Sequence, residues 1–210
     1  TAPGNGILFR GAPFGMQSDG ITRFIRLYRG HIIDAKDAQI GIDGMGMAGN
    51  DHAIMDHCSI SWTIDEGFSS RNAKAITLQR TIISEALNCA NHPNYGTGTQ
   101  HGYAATIGSG QMGGLPGSFH HNLLAHNEGR NWSISGGLDG TGNYDGHHDV
   151  FNNVVYNWGS RATDGGSHEI NFVNNYYKMG PATTMRKLFR HQFEGTGSGT
   201  QAAYVKGNIR

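Results

Sequence analysis

Between Ser118 and Asn131 the chain reads SFHHNLLAHNEGRN, a short alternation of apolar and polar positions that ends in a turn. Phe119, Leu123 and Leu124 suit one face of a strand, while His120, His121, His126, Glu128 and Arg130 supply chemistry at or beyond its end. Similar segments recur: IMDHCSISW around Cys58, ITLQRTIIS around Arg80, DVFNNVVYNW around Asn153, NFVNNYYK around Asn175 and YVKGNI around Asn208. Counted through Asn122, the steps are 22, 42, 31, 22 and 33 residues. No segment carries a long helical period. A 22-residue unit with insertions is neither a propeller blade nor a helical repeat, and it suits one coil of a parallel β-helix. The predicted class is therefore all-β.

Asn122, Asn153, Asn175 and Asn208 fall at one register of that repeat. Stacked side-chain amides can satisfy one another there, although asparagine is also common in turns for local reasons. The stretch from Asn88 to Pro116, rich in Gly, His and Thr, reads as a long loop on the binding face of the solenoid.

Composition sharpens this picture. Glycine contributes 33 of 210 residues, about twice the usual share, as a turn-dense all-β chain requires. Lys and Arg (16) balance Asp and Glu (16), so no basic footprint for nucleic acid or a membrane surface exists. No run of about 18 apolar residues marks a transmembrane span. The length fits one β-helix domain over 1–210. The chain opens on strand-like GILFRGAP, with no leader, and closes on AAYVKGNI, so it reads as a portion of a longer β-helix. Cys58 and Cys89 either pair in an oxidising compartment or remain free thiols.

Acidic residues supply the first candidate chemistry. Asp43 and Asp65 lie 22 residues apart, so adjacent coils would stack them. The coil spacing is about 4.8 Å. Carboxylates that close repel unless a cation lies between them, and oxygen-only ligands favour Ca2+. Turn acids are the plainer reading. Glu66 either joins them or faces solvent, and Asp56 beside His57 suits a hydrogen-bonding role. One member of each pair His120–His121 and His147–His148 is expected in the core or a ladder, because strand neighbours face opposite ways. His101, in the long loop, and His126, just before Arg130, are candidates for a groove.

The runs DHCSISWTIDE, HHNLLAHNEGRN, NNVVYNWG and NNYYKMGP resemble the pectate lyases of polysaccharide lyase family 1, in order and spacing, from about Gly6 to Pro181. The resemblance implies a right-handed parallel β-helix and Ca2+-assisted β-elimination of pectate (polygalacturonate), an acidic plant-type polysaccharide. It implies Asp43 and Asp65 as calcium ligands, with Glu66 substituting for an acid where Phe68 or Ser69 stands. It makes Arg130 the catalytic residue. Tyr103 stands where the family has a substrate-binding lysine, and Ser135 where it has a second arginine. Either polygalacturonate is then not the substrate or Arg161 and His101 replace lost substrate contacts, while His126 lines the groove and Trp132 stacks on a sugar or anchors the loop. A guanidinium ordinarily keeps its proton, so His101 or His126 is the alternative base, with Arg130 as a carboxylate clamp. The implied protein is a secreted or periplasmic monomer without nucleic-acid or membrane partners. A catalytically weakened carbohydrate-binding β-helix and a β-helix glycoside hydrolase are the other classes compatible with these residues.

Overall fold

In the computed structural model, which describes residues 4–28, 43–108, 116–134, 141–192 and 198–210, the short apolar alternations form three parallel sheets of seven strands each. Every coil contributes one strand to each sheet. Sheet A stacks Ile7–Arg10, Ile25–Tyr28, Ser59–Ser61, Ile82–Ser84, Leu123–Ala125, Val154–Tyr156 and Tyr176–Lys178. Sheet B stacks Phe14–Gly15, Met45–Gly46, Phe68–Ser69, Ala105–Ile107, Ser133–Ile134, Thr163–Gly165 and Phe189–His191. Sheet C stacks Ile21–Arg23, Ile54–Asp56, Thr77–Gln79, Gly117–His120, His147–Phe151, Glu169–Val173 and Ala202–Lys206. This is a right-handed parallel β-helix, and among the described residues it contains no helix.

Period-two alternation turns one residue of each short strand inward. Sheet A contributes the buried row Leu27, Ile60, Ile83, Leu124, Val155 and Tyr177, and sheet C contributes Met55, Leu78, Phe119, Val150 and Phe172. Each such side chain stabilises the coil by about 1.5–3 kcal/mol relative to exposure. His148 is buried among them, whereas His120 lies outside, stacked on Phe151, and His121 is exposed.

The corners have a chemical signature of their own. His57, Arg80, His121, Asn152 and Asn174 all adopt left-handed φ between 47° and 56° at the turn from sheet C to sheet A. Trp62, Glu85, His126 and Asn157 do the same where sheet A ends. One left-handed residue reverses the chain sharply, at about 1–2 kcal/mol of strain for a residue with a Cβ.

The residue after the first corner holds the coils together. Cys58 N–H donates to Thr81 Oγ1, Thr81 N–H to Asn122 Oδ1, and Asn122 N–H to Asn153 Oδ1. Asn153 and Asn175 continue the column to Asn208. Each asparagine Nδ2 also donates, Asn153 to Phe119 O at 2.9 Å and to Asn175 Oδ1 at 3.0 Å. The amide ladder therefore exists, with successive separations of 23, 41, 31, 22 and 33 residues. The first two differ by one from the sequence count, because Thr81 rather than Arg80 occupies the column.

Cys58 and Cys89 are free thiols, the first buried and the second exposed. Part of the predicted long loop is a sheet B strand, Ala105–Ile107. Residues 109–115 of that loop, and Ser135, lie outside the described residues.

Candidate active site

The candidate side chains precede the strands of sheet B, on successive coils. Asp43 comes before Met45–Gly46, Asp65 and Glu66 before Phe68–Ser69, and Tyr103 before Ala105–Ile107. Arg130 and Arg161 precede Ser133–Ile134 and Thr163–Gly165. Parallel pairing turns this sequence position into a row. Two glycines let the row pack closely. A Cβ on Gly67 would meet Ala104 O at 2.9 Å, and one on Gly129 would meet the Tyr103 ring and Arg161 Cβ at 3.1 Å.

The register differs by one from the 22-residue expectation. Met45 pairs with Phe68, and Gly44 N–H donates to Glu66 O at 2.8 Å, so Glu66 stands opposite Asp43 with Asp65 beside it. Each of the three acids offers one ligand oxygen lying within 4.8 Å of the others. Glu66, only 2% exposed, is ion-paired with Arg130. It also accepts from Thr106 Oγ1 at 2.8 Å and lies 3.8 Å from Arg71 Nη2. Asp65 accepts from His92 Nε2 on Oδ2 at 3.0 Å and from His101 Nε2 on Oδ1 at 2.7 Å.

These contacts pull two neighbouring carboxyls in opposite directions. Burial and the charge of Asp65 push Asp43 above its ordinary pKa, against Ser69, Arg71 and Arg130. Burial pushes Asp65 up as well, but the hydrogen bonds and charges of His101 and His92 outweigh it and hold Asp65 below. One carboxyl is thus a settled anion beside another that resists ionisation.

Arg130 lies with its guanidinium carbon 4.4 Å from the Tyr103 ring centroid, and Arg161 lies 5.6 Å from the same centroid. Burial, then the charge of Arg161, lower the pKa of Arg130, against Asp65, Asp164 and Asp43. Arg161 is gripped by Asp164 through Nε at 2.9 Å and Nη2 at 2.6 Å, and that hydrogen bonding raises its own pKa despite burial. Arg190 reaches the same carboxylate at 3.5 Å.

The structure therefore brings Asp43, Asp65, Glu66, Tyr103, Arg130 and Arg161 together. His101 joins them in a different way: it is buried against Asp65 and stacked on Tyr103 rather than facing a groove. Two expectations need correction. Trp132 is 0% exposed and packs on Phe119, so it anchors the core and offers no face to a sugar. His126 sits on a left-handed corner that turns its ring outward to Asn157 Nδ2 at 2.8 Å, lining a separate cavity that Arg130 does not line. Asp56 is held by Arg23 and His57 in a hydrogen-bonding role. Sequence reasoning missed His92, whose one available signal was a second histidine in the His101 loop, and it missed Arg71 and Thr106 beside Glu66.

No family model matches the chain. It is 34% identical over 198 residues to the protein named probable pectate lyase C of Aspergillus terreus, covering 90% of this chain and 40% of that protein. To the probable pectate lyase C of Aspergillus fumigatus it is 32% identical over 216 residues, covering 99% of this chain and 43% of that protein. To the one of Emericella nidulans it is 34% identical over 195 residues, covering 90% of this chain and 39% of that protein. The chain spans about two fifths of the length of the curated relatives it matches.

Proposed function

We propose that this pectate lyase-like chain is a polysaccharide lyase, acting outside the cell on pectate, that uses Arg130 to take the proton in a Ca2+-assisted β-elimination. One observation carries the reading: Arg130 is ion-paired with buried Glu66 beside Asp65 and Asp43, and it shares the Tyr103 ring with a second arginine, Arg161.

The donor set fits the implied ion. Three carboxylates with ligand oxygens within 4.8 Å of one another suit a hard, oxygen-ligated cation, since burial and the charge of Asp65 both disfavour the Asp43 anion. Asp43, Asp65 and Glu66 would hold it. A bound calcium ion supplies charge that polarises a uronate carboxylate and acidifies the proton on the adjacent carbon.

The protein's own groups then have distinct tasks. Arg130 abstracts that proton from C5, the electron pair left behind forms the C4–C5 double bond, and the C4–O4 bond breaks with the leaving oxygen protonated from water. Burial and the charge of Arg161 favour the neutral guanidine, and the ion pair with Glu66 opposes it. Arg161, fixed by Asp164, stays charged and opposes protonation of Arg130. Tyr103 orients both guanidinium groups with its ring face. A hydrolase would place its carboxyl pair about 5–9.5 Å apart with one free to protonate the leaving group. Here one oxygen from each of Asp43, Asp65 and Glu66 lies within 4.8 Å of the others, a convergence that suits one shared cation rather than two acids flanking a bond.

The test follows the near-ultraviolet absorbance of an unsaturated uronate product on polygalacturonate, in Ca2+ and in chelator. Turnover is expected in Ca2+, rising with pH as Arg130 loses its proton, and absent in chelator. Arg130→Ala should lower kcat by about 10²–10⁴-fold. Tight polysaccharide binding without product at any pH would overturn the lyase in favour of a binding β-helix.

A further inference from the structure

The carboxylate Asp65 belongs to two groups at once. Its ligand atoms cluster with those of Asp43 and Glu66, and equally with those of His92 and His101. The second set, two imidazoles and one carboxylate, is a donor set that a borderline metal such as Zn2+ would accept.

The hydrogen bonds decide between these uses. The backbone N–H of Asn94 donates to His92 Nδ1 at 3.2 Å, so Nδ1 must present a lone pair and the ring proton sits on Nε2. Nε2 faces Asp65 Oδ2 at 3.0 Å, so the proton that Nδ1 leaves on Nε2 points at a carboxylate oxygen that accepts it. Both partners of the ring demand the same tautomer. A metal on Nε2 would need the lone pair that this tautomer lacks. His101 Nε2 approaches the other oxygen, Oδ1, at 2.7 Å.

We infer that His92 and His101 are positioning residues: a pair of N–H donors behind Asp65 that fixes its plane and leaves a lone pair on each oxygen for the cation side. The clamp is stiff because its rings pack against one another at tilted angles. His92 and His101 rings lie 4.9 Å apart, Tyr95 caps both at 4.9 and 4.4 Å, and His101 rests on Tyr103 at 4.4 Å. Tyr103 in turn carries Arg130. The loop that supplies His92 and Tyr95 is thus tied to the acids and to the arginine. Hydrogen-bonded partners of this kind usually change metal affinity by about 10–100-fold.

The clamp rests on the reading that Asp65 serves a calcium site, and two measurements keep the two apart. Calorimetric Ca2+ titration compares the intact protein with His92→Phe, which keeps the ring but has no donor, with His92→Gln, which restores a donor, and with Asp65→Asn. The expected result is a loss of about 10–100-fold for His92→Phe, recovery of most of it in His92→Gln, and a larger loss for Asp65→Asn. If the intact protein binds and Asp65→Asn does not, but His92→Phe binds as tightly as the intact protein, the clamp is overturned and the calcium reading stands. If the intact protein binds no Ca2+, the function reading fails and takes the clamp with it. Ring ¹⁵N shifts of the intact protein form the second arm and need no variant, so they decide even if His92→Phe does not fold. His92 should show a pyrrole-type Nε2 and a pyridine-type Nδ1, unchanged by Ca2+. A reversed pattern, or Zn2+ converting Nε2 to a ligand, would overturn the proposal.

Discussion

Two stacks of polar side chains run across the coils of this protein, and they are built on opposite principles. At the corner between sheets C and A, Asn122, Asn153, Asn175 and Asn208 close on themselves, because each amide both donates and accepts. Before sheet B, Asp43, Asp65 and Glu66 can only accept, so their donors are imported from Arg130, Arg71, Thr106, His92 and His101. The first stack is neutral, complete and structural. The second is charged, and it is the row to which the proposed cation and acidic substrate are assigned. The difference lies in hydrogen-bonding valence, not in burial.

If the interior tolerates polar groups only while they are neutral, acid should break it most. Burial, with the charges of His147 and His191, drives His148 from 6.5 down to about 3. Unfolded chains take up that proton below pH 6.5 while folded ones refuse it until about pH 3, so stability is full above 6.5 and falls as pH drops through this window. The total loss is roughly 4–5 kcal/mol by about pH 3. Asp56 and Asp65, both held below 3.8, act only at lower pH. Denaturant midpoints between pH 7 and 4 should show the slope, and His148→Phe should flatten it.

The next test makes the ladder resemble the acid row. Asn153→Asp keeps the shape but removes both donors, leaving Phe119 O and Asn175 Oδ1 facing a carboxylate. A destabilisation of about 3 kcal/mol is expected by urea melting, with the activity of the molecules that remain folded unchanged. The mirror substitution, Asp43→Asn, should have the opposite sign. Burial and Asp65 already disfavour the Asp43 anion, so the amide raises the thermal midpoint in chelator while weakening Ca2+ binding. A lower midpoint in chelator would erase the contrast drawn between the stacks. Smallest of all, Tyr103→Leu removes the ring face under both arginines and should cost about 0.5–2 kcal/mol of transition-state stabilisation. It is read as a fall in kcat/KM with an unchanged melting temperature.

The coil fold was legible in the sequence from its recurring strand segments, and the ladder because four of its members are the same residue. The first steps slipped by one because threonine replaces asparagine at position 81, and a column is defined by its chemistry, not by one residue type. The same slip set Asp43 against Asp65 when Glu66 is the residue opposite. Trp132 was ambiguous for a related reason: Arg130 takes a left-handed φ of 50°, so the in-out count restarts at that turn. His92 was the least legible, since a long insertion folds back by contacts that no period encodes. Arg130 stood out by residue type at a strand end, the resemblance gave it an expected role, and the fold sets it beside Glu66.

One consequence of the stacking remains. Each coil touches only its immediate neighbours, so such molecules come apart by separation between layers rather than by loss of everything at once. The reactive row draws on successive layers, with Asp43, the Asp65–Glu66 pair, Tyr103, Arg130 and Arg161 each on a different one. A single slipped layer would sever the row while leaving nearly all strand pairing intact. The proposed chemistry is therefore a continuity test on the stack, and it fails at the first crack.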